Sequence, residues 1–261
     1  MIRLGEGSVA PVVTSLQILL RRHRPHARIT ADGNFGPRTK DAVSAFQDHH
    51  RSSLSRDGVV GRFTWGKLAE VSNLQTIDVV DGTDPSLVAL EASDITAAGG
   101  VPILVFGMSG GVDFVMDQIL ARARGRGSVV LLRFHGHGNR GLQNLTGGEL
   151  NGAPHLASIS NANFGQVVGS LRKISHIFVG FGCVQLLGCS VGGGASGVSL
   201  TRRLADTWGV PVTAGVLDQL GGGPNTFKFE GPTVTGFPSG GNLAGWSRQV
   251  QADFGNVTMP T

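Results

Sequence analysis

The chain has 261 residues, of which 40% are hydrophobic and 15% charged, so it contains enough apolar residues to build cores and is not disordered. Glycine takes 41 positions, about 16% of the chain against roughly 7% in average proteins. No apolar run approaches the roughly 18 residues of a membrane-spanning helix, and two cysteines are too few for a disulfide scaffold. The length is that of one large domain or two ordinary ones.

The positive charge lies at the N-terminus. Residues 1–70 contain 11 Lys and Arg against 6 Asp and Glu, whereas the rest of the chain contains 11 against 12. A small basic domain indicates an anionic polymer as partner, such as nucleic acid, cell wall or a membrane surface. The alternative is a domain whose helices simply expose arginines to solvent.

Three helices are predicted in the first seventy residues. Apolar residues recur at helical spacing over about Pro11 to Arg22, Pro37 to His49 and Arg62 to Val71. The motif Asp32-Gly33-x-Phe35-Gly36-x-x-Thr39 is repeated in part as Asp57-Gly58-x-x-Gly61-x-x-Thr64. We expect each Asp-Gly turn to lead into a helix, with the threonine bonded to backbone near the helix start.

These motifs resemble the three-helix peptidoglycan-binding domain. Further matching residues are Leu16-Gln17, Ala42-Val43-x-x-Phe46-Gln47 and Trp65-x-x-Leu68. The resemblance implies a non-catalytic anchor on bacterial cell wall, usually joined to a hydrolase, and we assign it residues 1–72. The alternative is that these residues serve only the core and turns of the fold.

A second domain is predicted over residues 87–261, after a polar segment, 73–86, that is either a linker or a first strand. Apolar strands expected over Val101–Phe106, Val129–Phe134, Val184–Gly188 and Val210–Ala214 alternate with helices over about 112–124, 164–174 and 197–208. Such a pattern indicates a mainly parallel sheet flanked by helices. The predicted fold is therefore a small helical bundle followed by an α/β domain, with no role assigned to residues 221–261.

Candidate reactive residues follow two of these strands, where open α/β sheets place their sites. His135-Gly136-His137-Gly138 follows one strand, and Gly188-Cys189 follows another. A cysteine at a strand-to-helix switch lies near backbone N–H groups that favour a thiolate, and a nearby histidine can act as its base. In the alternatives, Cys189 is an inert small core residue, or His135 and His137 ligate zinc together with His155 or a carboxylate.

The segments His137-Gly138-x-x-Gly141 and Gly188-Cys189, each after an apolar strand, resemble the caspase-like cysteine peptidases. The resemblance covers about residues 100–215. It implies that His137 is the general base, that Cys189 is the nucleophile, and that the backbone N–H groups of Gly138 and Cys189 hold the oxyanion.

Other site assignments stay open. His135 is the alternative base, but only His137 has a glycine four residues later, as in the family pattern. Members that cut after Arg or Lys carry a carboxylate in the P1 pocket, for which Asp218 and Asp113 are candidates. Both can equally be ordinary surface carboxylates. We expect no role for Cys183.

The predicted function is a cysteine endopeptidase with a His–Cys dyad, held at bacterial cell wall by residues 1–72. The alternatives are a lytic enzyme that cuts peptidoglycan cross-bridge peptides and a non-catalytic binding protein. Expected partners are peptidoglycan and a protein or peptide substrate, with no metal, other cofactor or nucleic acid. The first eight residues lack the apolar core of a secretion signal. We therefore expect the cell wall or leaderless secretion, with a cytoplasmic location left open.

Overall fold

Three helices open the chain. The computed structural model describes residues 4–23, 29–106, 111–146, 154–222 and 228–255. The helices are α1 (Pro11–His23), α2 (Pro37–His49) and α3 (Arg62–Val71). They begin and end within a residue of the predicted bounds, so the helical N-terminal region is confirmed.

Two buried glutamines organise the repeated turns of this region. Gln17 Nε2 donates to Asp32 Oδ1 at 3.0 Å and to Thr39 Oγ1 at 3.1 Å, while Gln17 Oε1 accepts from the Gly33 N–H at 2.9 Å. Gln47 makes the same three kinds of contact with the second turn, to Asp57, Gly58 and Thr64. Each threonine hydroxyl thus accepts a hydrogen bond from a glutamine side-chain amide, in place of the predicted contact with backbone at the helix start. The buried glutamine amide needs this acceptor, because a buried N–H group without a partner is unfavourable.

A six-stranded sheet follows, in the order β2-β1-β3-β7-β8-β9. Its strands are β1 (Gln75–Asp81), β2 (Ile103–Val105), β3 (Val129–His135), β7 (Phe178–Leu186), β8 (Val212–Gly215) and β9 (Thr233–Gly236). All neighbours are parallel except β8 and β9. A small antiparallel sheet contains β4 (Gly138–Asn139), β5 (Leu142–Asn144) and β6 (Ser158–Ser160). The predicted mixed α/β domain with a mostly parallel sheet is confirmed.

The remaining helices connect and cover the strands. They are α4 (Pro85–Leu87) and α5 (Ser93–Ala97), joined by a π-turn (Val88–Ala92), and then α6 (Gly111–Arg122), α7 (Phe164–Arg172), α8 (Gly194–Trp208) and α9 (Leu243–Phe254). Short 3₁₀ turns occupy Pro154–Ala157, Ser175–Ile177 and Pro238–Gly240.

Several strands depart from the prediction, and β4, β5 and β6 were not predicted at all. β7 begins at Phe178, six residues before the predicted start, because glycines interrupt the apolar run there. One of them, Gly182, permits close strand approach: a Cβ on it would lie 3.0 Å from the Val129 carbonyl oxygen. Residues 221–261, left unassigned by the sequence, supply β9 and α9.

The two faces of the sheet have different covers. One face packs against α6, α7 and α8, in a core that includes Val79, Phe134, Leu186, Met116 and Leu204. The other face shares one continuous apolar cluster with the N-terminal helices, which includes Leu16, Leu20, Val130, Phe181 and Cys183. The N-terminal region is therefore part of the core of the sheet.

Polar contacts fix this packing. The buried Ser15 hydroxyl of α1 donates to the Phe181 carbonyl of β7 at 2.6 Å. Thr14 bonds to Ser247 of α9 at 2.7 Å, and Arg21 donates to the Gly255 carbonyl at 3.0 Å. The C-terminal helix thus holds α1 on the sheet. Within the described ranges, no helix is long and apolar enough to cross a membrane.

We expect Ser15→Glu to destabilise the whole protein, because it places an unpaired charge between α1 and β7. The expected loss is about 3 kcal/mol in the free energy of unfolding. Ser53→Glu, at an exposed position of the helical region, is the matched control and should change stability by less than about 0.5 kcal/mol. Urea denaturation followed by circular dichroism checks both, and equal midpoints for the two variants would contradict the packing.

Candidate functional site

The candidate site lies where two neighbouring strands end. β3 and β7 are parallel, with Phe134 opposite Leu186, so the residues after both strands emerge at the same sheet edge. A Cβ on Gly188 would lie 2.9 Å from the His137 carbonyl oxygen, and one on Gly138 would lie 2.9 Å from the Cys189 carbonyl oxygen. The backbones of the two predicted catalytic segments are therefore in contact. His137 is exposed and Cys189 is half-buried.

Asp84 holds the His137 ring from one side. Its Oδ2 lies 2.5 Å from His137 Nε2, while its Oδ1 accepts from the backbone N–H and hydroxyl of Ser86, each at 2.7 Å, as the N-cap of α4. Hydrogen bonds from Ser86 and His137 lower the pKa of Asp84 to about 2. The Asp84 carboxylate thus holds the ring through Nε2.

His135, the alternative base, lies inside the protein. Its Nε2 is 2.9 Å from Asp78 Oδ1, its Nδ1 bonds to Glu91 of the π-turn, and its side chain is fully buried. Asp78 also binds Arg133 through two hydrogen bonds, at 2.5 and 2.8 Å. With both ring nitrogens occupied, His135 has none to offer a substrate.

The charges of this buried network support one another. Burial opposes the charged form of His135, but hydrogen bonds to Asp78 and Glu91 outweigh it and raise its pKa. Burial would likewise raise the pKa of Asp78, yet Arg133 and His135 hold it well below the usual range. His135, Asp78, Glu91 and Arg133 therefore form a buried network of paired charges beneath the candidate site.

Glycines shape the backbone around His137. Gly141 has φ +71°, and a Cβ there would lie 2.1 Å from Ser196 Oγ, so no other residue fits. Asn144 donates its N–H to the His137 carbonyl at 2.9 Å, which makes Gly138 and Gln143 a non-hydrogen-bonded pair. The Gly138 N–H therefore points away from β5.

Cys189 is covered by the loop after β8. Its thiol donates to the Gln219 carbonyl oxygen at 3.2 Å, and the Gln219 N–H donates back to the sulfur at 3.4 Å. The next residue, Ser190, has φ +56°, a conformation uncommon outside glycine, and bonds to the Leu217 carbonyl through its N–H. The backbone turns sharply at this cysteine and presents its side chain at the sheet edge.

The two carboxylates considered for the P1 pocket lie in different places. Asp218 accepts from the Ser190 hydroxyl at 2.8 Å, directly beside Cys189. Asp113 lies in the first turn of α6, where it accepts from Ser170 and pairs with Lys173 at 2.8 Å. Hydrogen bonds from Lys173 and Ser170 lower the pKa of Asp113. Only Asp218 contacts the cysteine segment.

The structure does not assemble the zinc site that the sequence left open. Among the described residues, no three His, Cys, Asp or Glu side chains are grouped so that they could hold a metal ion. His135 and His137 instead face separate carboxylates. The side chain of His155 lies outside the described residues.

Asp84 is the site residue that the sequence did not single out. It lies 53 positions before His137 and reaches it only because β1 and β3 are neighbours. The sequence around it, Asp84-Pro85-Ser86, indicates a helix start with Asp84 as the N-cap and proline in the first turn. That pattern contains no information about contact with a distant histidine.

By its fold, this protein is a helical bundle packed on a mostly parallel α/β sheet. Comparison with known proteins assigns the helical bundle to a family. Residues 10–68 match the family described as "Putative peptidoglycan binding domain". The predicted peptidoglycan-binding domain is therefore confirmed, and cell-wall association fits it.

One curated relative is the zinc D-Ala-D-Ala carboxypeptidase of Streptomyces albus G, 37% identical over 71 residues. The matched region is 27% of this chain and 27% of that enzyme. The chain thus spans about a quarter of the length of the relative it matches.

We expect iodoacetamide to modify Cys189 in the folded protein and to spare Cys183. Cys189 is half-buried at the sheet edge, whereas Cys183 is fully buried and its burial raises the pKa of its thiol to about 12. The rates should differ by at least about 100-fold at pH 8. Peptide mass spectrometry measures both rates, with protein unfolded in urea as the control in which they converge. Equal rates in the native protein would contradict the placement of the two thiols.

Proposed function

We propose that this protein is a cysteine endopeptidase that uses His137 and Cys189 and is attached to cell wall by its peptidoglycan-binding domain. The observation that carries the proposal is the contact between the segments 137–138 and 188–189 at the ends of adjacent parallel strands. The Asp84–His137 hydrogen bond supports it further. A carboxylate, an imidazole and a thiol then lie at one edge of the sheet, and these are the residue types that an activated cysteine nucleophile uses.

In the proposed reaction, His137 Nδ1 takes the Cys189 proton and the sulfur attacks the peptide carbonyl carbon. The carbonyl oxygen becomes an oxyanion, for which the backbone N–H groups of Gly138 and Cys189 are the proposed donors. The C–N bond breaks as the imidazolium returns its proton to the leaving amine. Water, deprotonated by His137, then hydrolyses the thioester and frees the thiol.

Asp84 has a positioning role in this proposal. Its carboxylate fixes the ring and stabilises the imidazolium that forms after proton transfer. The two hydrogen bonds that its Oδ1 accepts from Ser86 restrict rotation of the carboxylate away from His137. Asp218 is the proposed P1 carboxylate, since it lies beside Cys189, and the proposal predicts cleavage after Arg or Lys.

A second candidate keeps the same chemistry but takes peptidoglycan peptides as substrate. The confirmed peptidoglycan-binding domain favours it, because it would hold the site against that polymer. The relative from Streptomyces albus is named for action on D-Ala-D-Ala, a peptide linkage.

We expect Cys189→Ala to abolish peptide-bond cleavage. The full-length protein and this variant are incubated separately with a bacterial lysate and with purified cell wall, and new N-termini and soluble peptides are sequenced. Cys183→Ala is the matched control, because it also removes one thiol but leaves the sheet edge unchanged.

New termini in lysate that depend on Cys189 would support the endopeptidase, and the residue before each cut tests Asp218. Peptides released from wall alone would select the second candidate. Identical products from wild type and Cys189→Ala in both materials would overturn the proposal and leave a non-catalytic binding protein.

We expect Asp84→Asn to lower kcat by about 100-fold with little effect on folding. Asparagine is as good an N-cap as aspartate, but it lacks the charge that stabilises the imidazolium. Asp94→Asn, in the first turn of α5, is the control for loss of a carboxylate. The measurement is kcat and its pH profile on a peptide identified in lysate, and an unchanged profile would remove Asp84 from the site.

A further inference from the structure

A cavity of about 360 Å³ lies between the peptidoglycan-binding domain and the sheet. Its walls come from α3, from the first residues of β1 and from the turns that follow α5 and α6. We call it the junction cavity; its lining includes Arg62, Trp65, Thr76, Ala98, Arg122 and Arg124. Since Thr76 is at the amino end of β1, the cavity is at the opposite end of the sheet from Cys189. Its volume is within the range of small-molecule sites.

Three arginines give the junction cavity an uncompensated positive charge. Arg62, Arg122 and Arg124 form no ion pair with any carboxylate in the described part of the chain. The two carboxylates that also line it are already engaged: Asp78 by Arg133, and Glu70 by Lys67 at 2.8 Å.

Backbone and amide oxygens hold these arginines in place. Arg62 Nη1 donates to the Asp94 carbonyl at 3.3 Å, and Arg122 Nη1 donates to the Val101 carbonyl at 2.5 Å. Arg124 Nη1 donates to Asn73 Oδ1 at 3.4 Å. Each bond uses one of five N–H donors, so each guanidinium keeps donors for another acceptor.

Two buried donors of the lining residues lack a partner in the described ranges. The Trp65 indole N–H and the Arg62 Nε–H are buried and have no acceptor among the residues that the structure describes. Both belong to residues that line the junction cavity.

We propose that the junction cavity binds a small anionic molecule through phosphate or carboxylate oxygens that accept N–H bonds from Arg62, Arg122 and Arg124. Planar guanidinium groups suit both oxyanions, which they can bind through paired hydrogen bonds. Arg62 belongs to the peptidoglycan-binding domain and the other two to the sheet domain, so the bound anion bridges the two domains. Binding therefore stabilises their contact and raises the melting temperature.

The test is isothermal titration of the full-length protein at fixed ionic strength. The probes are inorganic phosphate, glucose 6-phosphate and citrate, with glucose as the neutral control. We expect at least one anion to bind with a Kd below about 1 mM and to raise the Tm, whereas glucose does neither. Preference for the two phosphates or for citrate identifies the type of oxyanion.

Variants locate the binding. Arg122→Gln combined with Arg124→Gln should weaken the Kd by at least about tenfold, and Arg62→Gln, in α3, should weaken it similarly. Arg126→Gln is the matched control, because Arg126 is exposed in the same turn but does not line the cavity. If circular dichroism shows that the double variant is unfolded, the Kd of the Arg62→Gln variant alone tests whether the anion binds in the junction cavity.

Three results would overturn the proposal. They are no binding of any anion at 10 mM, roughly tenfold above the expected limit, unchanged binding in the Arg62→Gln variant, and equal weakening by Arg126→Gln. The last would show a diffuse response to net charge. None of these results depends on peptidase activity, so each is distinguishable from failure of the proposed function.

Discussion

The sheet has two apolar faces, and both must be removed from water for it to be stable. Helices of the α/β segment cover one face, and α1 with α9 covers the other, in a cluster that joins Leu16 and Leu20 to Phe181. The need to bury both faces therefore fixes the position of the peptidoglycan-binding domain against the α/β sheet. The peptidoglycan-binding domain cannot act as a freely swinging anchor, because its first helix is part of the core that supports β7.

The same packing determines which histidine is available for chemistry. β3 places His135 beneath the sheet edge, where Asp78 and Glu91 enclose it, and places His137 two residues further on, at the surface beside Asp84. Both histidines thus contact carboxylates, but the contacts of His135 are buried and that of His137 is at the surface. The buried contacts stabilise the connection between β1, β3 and the π-turn, and the surface contact holds the His137 ring.

Local patterns predicted most of the regular structure. The helices over 11–22, 37–49 and 62–71 followed from apolar spacing, and the strand ends predicted at Phe134 and Gly188 lie within two residues of the observed ends at His135 and Leu186. The first half of β7 was missed because Gly180 and Gly182 interrupt its apolar run, although Gly182 is where the backbone closely approaches β3. The helix α9 was missed because a polar, glycine-flanked segment carries a weak pattern, and its contacts with α1 and β7 define its buried side.

The sequence by itself determined the peptidoglycan-binding domain, the alternation of strands and helices, and the two segments that carry His137 and Cys189. Each of these is encoded by residues close together in the chain, as turn chemistry or periodic burial. Only the tertiary structure decided that α1 covers the sheet, that Asp84 holds His137, and that arginines from α3 and from the end of α6 surround one cavity. Those contacts join residues tens to hundreds of positions apart, and their free energy comes from burial and charge pairing that exist only after the chain has folded.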